Sequence, residues 1–301
     1  MDNFEPGDVI LDKYEVKSIL GKGGMGIVLA ARNRDIDQLV ALKFLLPHLR
    51  DKPDLSARFA REARTATRIK NDHVARVFDA GMADGVAFMV MEYLPGEDLS
   101  TMLERRGQLP IDEAVDLLLQ ACEAVNEAHG LRIIHRDLKP GNLFVTETSD
   151  HMPFVKVLDF GISKTTSDEA SVTASAAVIG SPLYMSPEQL LASGKVDARS
   201  DVWSLVVILY EMLAAKSPFH GESVAVICTA ILNGTYPRIS TYRDDIPEAL
   251  EDAIDEALTA ERDDRISKLA RADVTGSCLD TLPFRDSHCG PPCSLSPLCR
   301  P

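Results

Sequence analysis

His135-Arg136-Asp137-Leu138-Lys139-Pro140-Gly141-Asn142, followed downstream by Asp159-Phe160-Gly161, decides how the rest of the chain is read. The carboxylate and carboxamide groups at these spacings suit a polyphosphate accompanied by divalent cations. Asp159 and Asn142 supply hard oxygen ligands of the kind Mg2+ accepts while it keeps waters and phosphates as its other ligands. Asp137 can orient an attacking hydroxyl and accept its proton, while Lys139 neutralises charge near a transferred phosphoryl group. Isolated Asp residues are common in any chain and mostly exposed; two long strings in the right order need another explanation.

Working back toward the N-terminus, Val40-Ala41-Leu42-Lys43 reads as a strand. Period-two alternation puts Ala41 and Lys43 on one face. There Lys43 can hold phosphate oxygens as a point charge, with Glu62 on the following helix as its acidic partner. The bland alternative is an unrelated surface lysine and surface glutamate. Further back, Gly21-Lys22-Gly23-Gly24-Met25-Gly26-Ile27-Val28 has the spacing G-x-G-x-x-G-x-V. Glycines let backbone amides approach phosphate oxygens without a Cβ in the way. A dinucleotide-binding fold would need a helix directly after this loop. The run that follows is short and reaches a turn at Asn33 to Asp37, which favours a strand-loop-strand hairpin.

The order of elements supports two lobes. Tyr14 to Ser18, Ile27 to Ala31, Leu39 to Leu46, Val74 to Ala80 and Val86 to Tyr93 read as strands, interrupted by a helix over Leu55 to Lys70. After Pro95-Gly96 helices dominate: Leu99 to Arg105, Ile111 to His129, Ala198 to Ala214, Ser223 to Asn233 and Pro247 to Leu258, with a short β region near 131–160. Strands first and helices later imply an α+β chain with a β-rich N-lobe over 12–94 and a mainly helical C-lobe over 95–267, hinged near Leu94 to Gly96. A cleft between lobes is a favoured ligand site.

Bulk properties narrow the partners. The chain has 301 residues, 45% of them hydrophobic, and a formal net charge of -14. Acid crowds residues 244–264, where a solvated helix face is the simple reading. An acidic surface repels nucleic acid and anionic membranes. Met1 to Ile10 lacks the basic start and apolar core of a signal peptide. The apolar run Val202 to Ala215 is shorter than the ~20 residues a bilayer needs and reads as a buried helix. Cys122 and Cys228, alone in helical contexts, fit reduced thiols and a cytoplasmic location.

Over residues 12–267 the chain resembles the eukaryotic-like (Hanks-type) serine/threonine protein kinases of bacteria. The resemblance implies the two-lobed kinase fold and ATP with Mg2+, or Mn2+ in its place, as the nucleotide and metal. It implies nucleotide contacts from Leu20, Gly21, Lys22, Gly23, Gly24, Met25, Gly26 and Val28, and an ion pair between Lys43 and Glu62. Val28 and Ala41 would sit above adenine and Phe144 beneath it. Met91, Glu92 and Leu94 match the gatekeeper and hinge, and Asp98 the acidic residue near the ribose. Ser186-Pro187-Glu188 stands as a variant of A-P-E, paired with Arg265. Asp201 to Leu205 resembles the buried helix that anchors the catalytic loop, with Val206 where the family usually has glycine.

Lys139 and the small hydroxyl residue Ser181 match kinases that act on serine and threonine, so protein substrates with Ser/Thr acceptors are expected. Arg136 matches the arginine of a basic pocket that can bind a phosphorylated loop residue. Phosphate adds about -1.5 to -2 charge, enough to order a loop against arginine. Thr173 and Ser175 align with sites used by bacterial relatives, which implies autophosphorylation there, with a transient homodimer as the means. The tail over 268–301 is rich in Pro and Cys. His288, Cys289, Cys293 and Cys299 could ligate zinc, but their spacing is a weak signal beside the simpler reading of a disordered or aberrant tail. A catalytically silent scaffold would need a missing key residue, and none is missing. An oxidoreductase explains only the glycine loop.

Overall fold

The computed structural model describes residues 4–23, 26–46, 49, 53–83, 85–160, 182–191 and 196–266. Short β-rich segments with turn residues between them pair to build the first lobe. Strands β1 (Val9–Ile10), β2 (Tyr14–Lys22), β3 (Gly26–Asn33), β4 (Gln38–Leu45), β5 (Val77–Ala83) and β6 (Val86–Glu92) form one sheet in the order β1-β2-β3-β4-β6-β5, every pair antiparallel. Helix α1 (Pro53–Ala66) lies between β4 and β5 in sequence and adds Phe59 and Ala63 to the core of this lobe.

The glycine-rich stretch therefore joins two strands. Gly21 pairs with Val28 and Lys22 with Ile27 across β2 and β3. No helix follows the loop, so the dinucleotide arrangement is excluded. Register breaks between Val16 and Ser18 and between Ile19 and Gly21, which leaves Lys17 and Leu20 as the extra residues of two bulges. Gly26 is demanded by packing: a Cβ there would meet the Phe44 carbonyl oxygen at 2.6 Å. A Cβ on Gly21 or Gly23 would meet nothing within 4 Å among the described residues.

The second lobe holds α2 (Leu99–Arg106), α3 (Ile111–Gly130), α4 (Pro187–Leu190), α5 (Ala198–Ala214), α6 (Val224–Asn233) and α7 (Glu248–Ala257). A small sheet, β7 (Glu97–Asp98), β8 (Leu143–Glu147) and β9 (Pro153–Val157), sits near the lobe boundary. In α5 every residue from Ser200 to Ala214 except Glu211 is buried. A helix that is apolar on all sides belongs inside a core, which accounts for the run at Val202 to Ala215; Val206 is 1% exposed within it. No helix among the described residues is long and apolar enough to cross a membrane. At the lobe boundary Gly96 has φ 129°, and a Cβ would lie 2.2 Å from the Val145 carbonyl oxygen. Only glycine fits that crossing.

Two boundaries differ from the sequence reading, each for a local reason. Helix α1 stops at Ala66 rather than Lys70. The Thr67 hydroxyl donates to the Arg64 carbonyl, and the Lys70 N–H is taken by Glu127, which draws the chain off the helix axis. Strand β5 begins at Val77 rather than Val74 because residues 73–75 bond across the lobes to β9. Ala75 N donates to Val157 O at 3.1 Å and Val157 N to His73 O at 2.7 Å. Strands β1 and β7, two residues each, carry too few side chains to show a period. The kinase-domain boundary expected at 267, and the tail with His288, Cys289, Cys293 and Cys299, lie outside the described residues.

Gly26→Ala is expected to lower unfolding free energy by about 1–3 kcal/mol, because the added methyl has only backbone to push against. Gly21→Ala should stay within about 0.5 kcal/mol of the parent. Urea unfolding of the two variants checks this, and equal losses would contradict the packing argument.

Candidate active site

Directly opposed residues on paired strands share a face. Val28 opposes Lys43, Ala30 opposes Ala41, and Met89 and Met91 oppose Lys43 and Ala41 on the other side. Val28, Ala41, Lys43 and Met91 thus line one face of the first sheet. Lys43 then reaches across the lobes. Its Nζ lies 2.9 Å from Glu62 Oε1 on α1 and 2.6 Å from Asp159 Oδ1, which follows β9. Asp159 has φ 51°, a left-handed conformation that is costly away from glycine. Phe160 is 1% exposed and packs against His135, with ring centroids 4.9 Å apart.

The His135 to Asn142 string is anchored by α5. Asp201, fully buried, accepts the His135 and Arg136 backbone N–H groups at 2.8 Å each, and its Oδ2 also meets His129 Nε2 at 2.7 Å. His135 Nε2 bonds the Leu158 carbonyl at 2.9 Å while Nδ1 accepts the Asp137 N–H at 3.3 Å. Those partners require the Nε2–H tautomer.

Around Asp137, Lys139 Nζ donates to Oδ2 at 2.8 Å, and Asn142 Nδ2 donates to the Asp137 carbonyl at 2.7 Å. With its nitrogen committed there, the Asn142 carboxamide turns its oxygen the other way, the atom a hard cation would take. Asn142 and Asp159 are brought side by side by the Leu158 N to Asn142 O bond at 2.9 Å. A carboxylate, a carboxamide oxygen and an ammonium beside them fit a magnesium polyphosphate, which supplies the metal's other ligands. The open space over Gly21 and Gly23 fits it too, since nothing among the described residues would meet a side chain at either position.

Comparison with known proteins agrees with this geometry. The family model described as "Protein kinase domain" matches residues 14–275. The chain belongs to the protein kinase family. Serine/threonine-protein kinase pkn3 of Myxococcus xanthus is 37% identical over 295 residues, covering 94% of this chain and 54% of the relative. Serine/threonine-protein kinase PknB of Mycobacterium leprae is 42% identical over 216 residues, covering 70% of this chain and 34% of the relative. The Mycobacterium tuberculosis PknI kinase domain shares the fold at TM-score 0.68 and 25% identity, covering 88% of this chain and 95% of that one. The chain spans about half the length of the first of these relatives and about a third of the second. The relatives are bacterial, and the two-lobed architecture is the kinase fold.

Two of the residues expected at the nucleotide have side chains engaged within the protein. The Asp98 carboxylate is the N-cap of α2, accepting the Thr101 N–H at 3.0 Å and the Thr101 hydroxyl at 2.8 Å. The Glu92 side chain turns to the back of the hinge, where it accepts Lys156 Nζ at 2.9 Å and the Arg76 N–H at 2.7 Å. Any nucleotide contact from Glu92 therefore falls to its main chain. Lys156 is 7% exposed, and a lysine that deep needs a countercharge. Its signal in the sequence was a lysine inside the apolar run Phe154-Val155-Lys156-Val157. Val28, Met91, Leu94 and Phe144 are all half-buried, so apolar surface is left uncovered at the lobe boundary. Leu20 and Lys22 are exposed on β2. Gly24, Met25, Gly161, Ser181, Thr173 and Ser175 lie outside the described residues.

The Ser186-Pro187-Glu188 stretch is fixed by a buried ion pair. Arg265 Nη1 and Nη2 reach the Glu188 carboxylate at 2.9 and 3.2 Å, and the Ser200 hydroxyl donates to the same carboxylate at 2.5 Å. In the cleft, burial and then the neighbouring Asp159 charge push the Glu62 carboxyl up to about 7, against the pull of Lys43. For Lys43, burial is outweighed by the two carboxylates, which raise it. For Asp159, burial is outweighed by Lys43, which lowers it. Glu62 holds its proton more tightly in the folded kinase than in the unfolded chain. Its contribution to stability is thus full below the ordinary carboxyl value of 4.5 and is lost as pH rises through about 7. Carbon-13 titration of the nucleotide-free protein should place the Glu62 midpoint near 7. Asp159→Asn should lower that midpoint and Lys43→Met should raise it; shifts of the opposite sign would contradict the assignment.

Proposed function

We propose that this chain transfers the terminal phosphate of ATP to serine and threonine hydroxyls of proteins. The convergence of Lys43, Glu62 and Asp159 opposite the Asp137–Lys139–Asn142 cluster carries this reading. Bound ATP with Mg2+ supplies the electrophilic phosphorus and the countercharge on its oxygens. Lys43 holds phosphate oxygens, with Glu62 fixing the direction of the ammonium. Asp159 and Asn142 would hold the metal, and Mn2+ suits the same oxygen donors. Asp137 orients the acceptor hydroxyl and takes its proton as the new O–P bond forms and the bond to ADP breaks. Lys139, 2.8 Å from that carboxylate, offsets charge on the moving phosphoryl group.

Val28, Ala41 and Met91 would bound the adenine from the first lobe and Leu94 and Phe144 from the hinge and second lobe. The glycine loop from Leu20 to Gly26 would cover the phosphates. Asp98 can meet a ribose hydroxyl through lone pairs that its capping bonds leave, since an ionised carboxylate accepts about four hydrogen bonds. Autophosphorylation at Thr173 and Ser175, through a transient homodimer, follows from the same reading, as does work in the cytoplasm on protein substrates rather than on nucleic acid.

Transfer of labelled γ-phosphate from ATP–Mg2+ to a generic Ser/Thr protein tests the proposal. Asp137→Asn should lose about 10²–10⁴-fold in kcat, and Lys43→Met should abolish measurable transfer. Full activity in either variant would overturn these roles.

A further inference from the structure

Gln189, the third residue of α4, is assigned no role by the kinase motifs, yet it touches the peptide unit that precedes Asp137. Its Nε2 donates to the Arg136 carbonyl at 2.8 Å. Its Oε1 accepts the Ser186 N–H at 3.0 Å and faces the Ser186 hydroxyl at 3.2 Å. A backbone N–H can only donate, so the amide must present its oxygen to Ser186 and its nitrogen to Arg136. Orientation is thereby fixed by chemistry.

The contact matters because of what it holds. Arg136 has φ 65°, a left-handed conformation that a non-glycine residue keeps only when its surroundings enforce it. The N–H groups of His135 and Arg136 are held by Asp201. The next peptide unit, from Arg136 C=O to Asp137 N–H, is held at one end by Gln189 Nε2 and at the other by His135 Nδ1. The plane of that unit sets where the Asp137 side chain leaves the backbone. Gln189 is also tied to the stretch over residues 182–190. Ser186 is fully buried, its neighbour Glu188 is locked to Arg265 and Ser200, and Tyr184 bonds Ser204 and Glu211 on α5.

We infer that Gln189 is a positioning residue, which couples the segment over residues 182–190 to the aim of the Asp137 carboxylate. The inference rests on the kinase reading above. Order in that segment sets the orientation of the peptide before Asp137 through one amide N–H, so a disturbance there reaches the catalytic carboxylate without touching the nucleotide groups.

Gln189→Glu isolates this N–H. The carboxylate keeps the acceptors for Ser186 and the shape of the side chain but opposes an oxygen to the Arg136 carbonyl. With wild-type protein active in the same labelled-phosphate assay, kcat should fall about 10–100-fold, the scale of a misplacement near 1 Å. KM for ATP should stay within about twofold, because the nucleotide contacts are untouched; the apolar variant Gln189→Met should show the same split. An unchanged kcat in the Glu variant would overturn the inference. So would a joint loss of kcat, ATP binding and melting temperature in both variants, which would mark Gln189 as merely structural. Absence of transfer by the wild type would strike the kinase reading itself.

Discussion

One ammonium group ties together three distant stretches of the chain. Lys43 rises from β4 of the first sheet, meets Glu62 on α1 and reaches Asp159 beyond β9. Those three residues come from separate stretches of the chain, and no local preference brings them together. Each lobe has its own core, and the three residues meet where those cores adjoin. A buried carboxylate pair without the lysine would repel, and a buried lysine without them would lose its charge. The cleft is therefore held in register by the same groups that a polyphosphate would use.

Beneath the cleft a second constraint is set by α5. It is buried on nearly every side, so it behaves as a fixed post rather than a surface helix. Asp201 at its start aims the catalytic loop, Ser200 and Ser204 secure the segment after it, and Glu211 takes the Tyr184 hydroxyl at 2.6 Å. Arg136, just before Asp137, and Asp159 are among the non-glycine residues with positive φ. Each is over-determined by hydrogen bonds or ion pairs, which is how such conformations persist.

Much of this was legible in the amino-acid order. Alternation at Val40 to Lys43 placed the lysine on the cleft face, and the short run after Gly26 pointed to a hairpin. Apolar density at Val202 to Ala215 announced a buried helix. What stayed hidden depends on contacts between distant residues. Nothing near Glu92 says that its side chain turns to Lys156, because the lysine enters from another sheet. Asp98 also caps α2 through the Thr101 N–H, a bond that the sequence reading of that residue did not include. Strand β5 begins late because residues 73–75 are claimed by β9, a competition across lobes that a local pattern cannot display.

The most direct test is a crystal structure with a non-hydrolysable ATP analogue and Mg2+. The account predicts phosphate oxygens on Lys43, the metal between Asp159 and Asn142, and the terminal phosphate facing Asp137. Nucleotide bound outside the cleft, or Lys43 and Asp159 directed away from its phosphates, would contradict it.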